Sequence, residues 1–144
     1  MIDFIDILKT RCELIDWIPI VGSKDIQNFT ISQKDLTTGK TALLIDLPRT
    51  TAFIDGGSWS QHNYTLELLC VRKFEAFTKS SVSETTEQKY NARLFELQQA
   101  LDEFLYGVFQ CSGATKVTSL SYNYVMNTLT KSVDGVLCSI TVQG

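Results

Sequence analysis

With one histidine, His62, and four cysteines that form no CxxC pair, this 144-residue chain is poor in the groups that hold metals. A structural zinc site gathers four Cys or His ligands from short spacings, whereas Cys12, Cys70, Cys111 and Cys138 are scattered along the sequence. They read as buried, reduced thiols, which fits a reducing compartment. There is also no cluster of Lys and Arg: 13 basic side chains face 16 acidic ones, for a net charge of −3. A sequence-independent grip on nucleic acid works by displacing counterions with clustered cations, so direct nucleic-acid binding is not expected. No apolar run approaches the roughly 20 residues of a membrane-spanning helix. Asp3 and Asp6 stand where a signal peptide would carry its basic segment. The expected address is a cytoplasm.

Catalytic and cofactor motifs are missing as well. Gly39-Lys40-Thr41 has the last three residues of a phosphate-binding loop, but Lys34 occupies the position where that motif needs its first glycine. The segment after it, Ala42 to Leu47, has the look of a strand, whereas the loop's lysine opens a helix. A turn is the better reading. His62 has no nucleophile and orienting acid singled out for it, so it reads as an ordinary strand-end histidine. No carboxylates are paired at a telling spacing. The chain is therefore expected to be no enzyme, with no catalytic, cofactor-binding or metal-binding residue.

What is present is a balanced globular composition, 44% hydrophobic and 20% charged, enough for residues 1–144 to form one domain around a single core. No internal repeat, low-complexity tract or linker divides it. The stretch from Ser81 to Gln110 organises the rest. Tyr90, Leu94, Leu97, Leu101, Phe104, Leu105 and Val108 recur at spacings of three and four, which aligns them on one helical stripe. Ser81 and Glu84 have capping-box spacing and Gly113 is a natural stop, so the pattern predicts one helix of some ~40 Å.

Before it, residues 2–16 predict a short helix, with Phe4, Ile5, Leu8, Cys12 and Ile15 on one face and Pro19 ending it. Ile26 to Gln33 and Thr41 to Leu47 predict two strands around a turn at Asp35 to Lys40. Arg49 to Ser60, with Gly56-Gly57, reads as a connection containing at most a short strand at Ala52 to Ile54. His62 to Phe74 alternates most clearly of all, and Glu75 to Ser83 reads as a polar loop. After the long helix, Lys116 to Met126 and Val136 to Val142 predict a hairpin, with Asp134-Gly135 as a turn signal. The fold class expected is α+β: a mainly antiparallel sheet packed against one long helix, with a short N-terminal helix.

The long helix carries a second flank. Measured from Leu101 at 100° per residue, the core stripe spans about −60° to +40°, while Phe109, Phe95 and Tyr106 fall at about 80°, 120° and 140°. Gln99, Asp102 and Glu103 rim this aromatic strip in the manner of a protein contact, so Phe95, Tyr106 and Phe109 are the candidate interface residues. The bland alternative is that the chain's own loops, such as Glu75 to Ser83 with Phe77, cover these rings.

In size and order of elements (short helix, meander ending in a strong strand, one long helix, closing hairpin with its Asp134-Gly135 signal) the chain resembles the tail-completion and tail-terminator proteins of long-tailed bacteriophages. The resemblance covers nearly the whole chain, and it carries over no functional residue because those families have no catalytic signature. It departs from them in its proline-poor start and its polar loop before the helix. It implies a virion component assembled in the host cytoplasm, a homo-oligomeric ring, commonly a hexamer, that meets tail-tube and neck or connector proteins and involves neither specific nucleic-acid binding nor membrane. Mild acidity suits a DNA conduit, which must not hold phosphates, although a pI near 5.1 is common in cytoplasmic proteins. Two other readings stand beside it: a small-ligand protein with a pocket lined by Trp59, Tyr64, Tyr122 and Tyr124, and an adaptor of a bacterial cytoplasm with no viral role.

Overall fold

The computed structural model describes residues 2–22, 40–72, 94–110, 115–125 and 134–144. Among these residues, two helices lie on one face of a mixed six-stranded sheet, an α+β architecture. The elements are α1 (Phe4–Leu14), β1 (Ile18–Val21), β2 (Thr41–Ile45), β3 (Arg49–Asp55), β4 (Ser58–Arg72), α2 (Phe95–Gln110), β5 (Lys116–Val125) and β6 (Asp134–Gln143). The predicted strand at Ile26 to Gln33 and the polar loop at Glu75 to Ser83 fall outside the described residues.

The first helix forms where its apolar spacing predicts. The Asp3 side chain accepts from the Asp6 N–H at 3.1 Å, a cap that satisfies one of the orphan donors of the first turn. Its end is not set by Pro19. Asp16 takes a left-handed φ of 59°, and the Trp17 N–H reaches back to the Cys12 carbonyl at 2.8 Å, so a Schellman turn closes the helix. Pro19 lies within β1, the end strand of the sheet path, where a missing N–H can be tolerated.

The strands run in the order β1-β2-β4-β6-β5, with β3 also on β4. Among the described residues only β1 and β2 pair in parallel; the other four pairings are antiparallel. β4 is the spine. Its C-terminal half pairs with β2 and its N-terminal half with β3, both on one edge, while β6 runs along the other. From Ile45 to Arg49 the chain advances four residues against three on β4, Leu68 to Thr65, so the step from β2 to β3 works as a bulge around Asp46 to Pro48.

Alternation along β4 sends Tyr64, Leu66, Leu68 and Cys70 to the helix side, where they share the main core with Leu43 and Ile45 of β2 and Val136, Cys138, Ile140 and Val142 of β6. The α2 stripe, from Leu97 through Leu101 to Val108, closes this core, and Leu94 beside it is buried too. A smaller apolar cluster, Ile20, Ala42, Leu44, Leu69 and Val71, lies on the opposite face. β2 is thus buried on both sides, which is why it reads as an unbroken apolar run.

Three expectations need correction. The packing helix has 16 residues, about 24 Å, and not one long span from Ser81. Leu97, Leu101, Phe104, Leu105 and Val108 hold it in the core it shares with the sheet. Ser81, Glu84, Tyr90 and Gly113 fall outside the described residues. Second, Arg49 to Ser60 is no simple connection: β3 and β4 form a hairpin across Gly56-Gly57, whose φ values of 56° and 82° are those of a tight two-residue turn. Third, Asp134-Gly135 is not a turn. Both residues sit inside β6, opposite Arg72 and Val71.

Candidate functional site

α2 meets the sheet along β4, β6 and β5, and its exposed flank leaves a seam against β5. Val117, Leu120, Tyr122 and Tyr124 of β5 stand opposite Val142, Ile140, Cys138 and Val136 of β6, so they point to the helix side. Two tyrosines pin that seam. The Tyr122 hydroxyl donates to Asp102 Oδ1 at 2.7 Å, and Tyr124 donates to Gln98 Oε1. Burial first, and then the bond to the Asp102 carboxylate, push the Tyr122 phenol well above its ordinary range, so this contact is held as a protonated donor.

Beyond the tyrosines the seam opens into a groove of about 440 Å³. Leu105, Phe109, Leu120 and Ile140 make its apolar lining, while Asp102, Tyr106 and Lys116 supply polar groups around it. Tyr106 is 67% exposed, and Val117 and Leu120 on the facing strand keep more than a third of their surface in solvent. Along β3 all residues are exposed except Ala52, which is half-buried.

The three residues read from the sequence as an aromatic interface strip part company here. Tyr106 stands beside the groove and Phe109 forms part of its lining, but Phe109 is only 7% exposed and its ring lies 5.8 Å from that of Phe4. It belongs to the core because α1 packs on α2 and widens the buried arc beyond the sheet-facing stripe. The Arg11 side chain crosses α2 at Gly107, where an added Cβ would meet its Nη2 at 2.7 Å. Phe95 is 46% exposed and nearly aligned with Tyr106, about 16 Å away along the helix, away from the groove.

Of the residues of the alternative pocket, Tyr64, Tyr122 and Tyr124 are each engaged elsewhere, and the Trp59 side chain lies outside the described residues. Tyr64 lies in the core, edge-on to Phe4 at 4.8 Å, and its hydroxyl accepts from the Ile2 N–H at 3.1 Å. Tyr122 and Tyr124 are tied to α2. His62 is on β4, its backbone exchanging hydrogen bonds with Gly144 and its ring stacked 6.1 Å from Tyr64. Lys40, next to β2, forms an exposed ion pair with Asp16 at 2.5 Å. The described residues hold no group of three or more His, Cys, Asp or Glu able to take a metal, and none of their helices is long and apolar enough to cross a membrane.

Cys12, Cys70 and Cys138 are buried free thiols in the main core; Cys111 falls outside the described residues. Burial, assisted by Glu13 for Cys12 and by Asp102 for Cys138, pushes both thiols up to about 12, and burial raises Cys70 as well. At pH 8 the thiolate is then about one part in ten thousand. Native protein is expected to resist iodoacetamide at these three positions while denatured protein reacts at all four cysteines, as read by mass spectrometry. Labelling of the native thiols at the rate of an open peptide would contradict their burial. The same linkage costs stability as pH rises from 9.0, where unfolded thiols begin to ionise, towards about 12, because the folded state retains its protons.

The groove and the hairpin were both missed at the level of sequence, although Gly56-Gly57 between Ile54 and Trp59 was an available hairpin signal. The chain matches no protein-family model and no curated protein.

Proposed function

We propose that this chain is a structural protein of a tailed-bacteriophage virion: a ring-forming tail-terminator or tail-completion component that joins tail tube to neck. Its work is binding, without chemistry. The observation that carries self-assembly is the exposed apolar surface along the α2–β5 seam, where Tyr106, Val117 and Leu120 flank a groove bordered by Asp102 and Lys116. Burying the exposed part of such side chains contributes a fraction of the about 1.5 to 3 kcal/mol of full burial, and a polar rim around an apolar centre is the anatomy of a protein contact. The short first helix, the strong β4 strand and the closing β5–β6 pair, the parts of the layout that resemble the tail-completion families, support the virion assignment, as does the lack of a basic cluster in a chain placed beside DNA.

Negative-stain electron microscopy of the purified protein is expected to reveal closed rings with a central opening, and Tyr106→Ser to reduce their number while the circular-dichroism spectrum stays that of wild type. A second reading is favoured by one measurement alone: about 440 Å³ falls within the range of small-molecule sites. A metabolite that raises the melting temperature of a ring-free monomer would support that reading and overturn the ring.

A further inference from the structure

The β3–β4 hairpin and the α2–β5 groove stand on opposite lateral edges of the sheet. β6 joins β4 only from Asn63 onward, where Gln143 is its partner, so from Gln61 back to the Gly56-Gly57 turn β3 is the only described strand on β4. A two-stranded ribbon is marginal by itself in water. This one carries Ile54 at 60% exposed and Phe53 half exposed, with a pairing irregularity between them. Asp55 follows them directly into the turn.

We propose that this hairpin, led by Ile54, docks into the α2–β5 groove of a second copy of the chain, a contact that rests on the ring reading above and specifies its interface. The groove offers Leu120 and Val117 to the apolar side chains, and Lys116 stands beside it for Asp55. Among the described residues neither Asp55 nor Lys116 has an ion-pair partner of its own. The hairpin cannot fill the groove of its own chain, because the order β3-β4-β6-β5 sets the two about 14 Å apart across three strand spacings. Register sets the hairpin tip beyond the groove along the strand direction: Gln143 is opposite both Asn63 and Lys116, whereas Ile54 is opposite Trp59, four residues before Asn63 and so about 13 Å further out.

Complementary variants test this directly. Ile54→Asp keeps its groove and loses its hairpin; Leu120→Asp keeps its hairpin and loses its groove. Each alone should weaken assembly by about tenfold or more, the scale of losing an interface anchor. Mixed in equal amounts they should form heterodimers by sedimentation velocity, because one intact contact remains, and no rings. If either aspartate variant fails to fold by circular dichroism, Asp55→Lys and Lys116→Asp replace them, each weakening assembly alone and restoring it when combined in one chain. Wild-type protein that assembles while the folded single variants assemble equally well, or whose mixed variants give rings or no dimer, would overturn the hairpin contact and leave the ring standing. Wild-type protein that stays monomeric would remove both.

Discussion

Leu101→Ala is expected to lower the free energy of unfolding by roughly 2 to 5 kcal/mol, a large part of the roughly 5 to 15 kcal/mol available to a domain. Leu101 is fully buried and shares the main core with Leu97, Phe104 and Leu105 of its own helix and with residues of β2, β4 and β6. Truncation removes apolar contact on the side that holds α2 to the sheet, and the cavity can close only by moving the helix or the spine strand. Urea unfolding, with an unchanged denaturant slope, reads the loss. Glu96→Ala, one turn earlier and exposed, serves as the control and should stay within about 0.5 kcal/mol. A loss under about 1 kcal/mol at Leu101 would place the stripe outside the core.

Gly135→Ala is expected to cost about 1 to 3 kcal/mol or more, through overpacking and not through lost burial. A Cβ at this position would stand 2.6 Å from the Cys70 carbonyl oxygen and 2.8 Å from Val71 Cγ1. The first obstacle is backbone of the central strand, which cannot swing aside as a side chain can. Thermal unfolding should therefore shift downward by several degrees, since 1 kcal/mol corresponds to about 2 to 8 °C in domains of this size range. A melting temperature equal to wild type would mean that β4 and β6 are farther apart at Val71 than the structure has them.

That glycine also marks where reading the sequence stopped short. Asp-Gly is a turn signal by local chemistry, but here the glycine is needed because two paired strands approach closely, a reason that exists only once β4 is beside β6. The core stripe of α2, the first helix, and β2, β4 and β6 were legible because burial imposes period 3.6 on a helix and period 2 or an apolar run on a strand, and β5 was legible from the alternation of Leu120, Tyr122 and Tyr124 although most of it is exposed. Phe109 was not: at about 80° from Leu101 it lies off the sheet-facing arc, and its contact with the ring of Phe4 across the helix pair brings it into the core. β3 was read as connection because Arg49-Thr50-Thr51 offers no apolar alternation, and a strand exposed on both faces has no burial to imprint one. Of the candidate site, Tyr106 was found from its place on the wheel, while the groove was not, since it depends on how far β5 stands from α2 beyond the two tyrosine contacts.

Self-assembly is the claim on which the functional reading depends. Sedimentation velocity of the wild-type chain at tens of micromolar tests it most directly: a species several times the 16.2 kDa subunit mass is expected, and a single boundary at the mass of one subunit would contradict it.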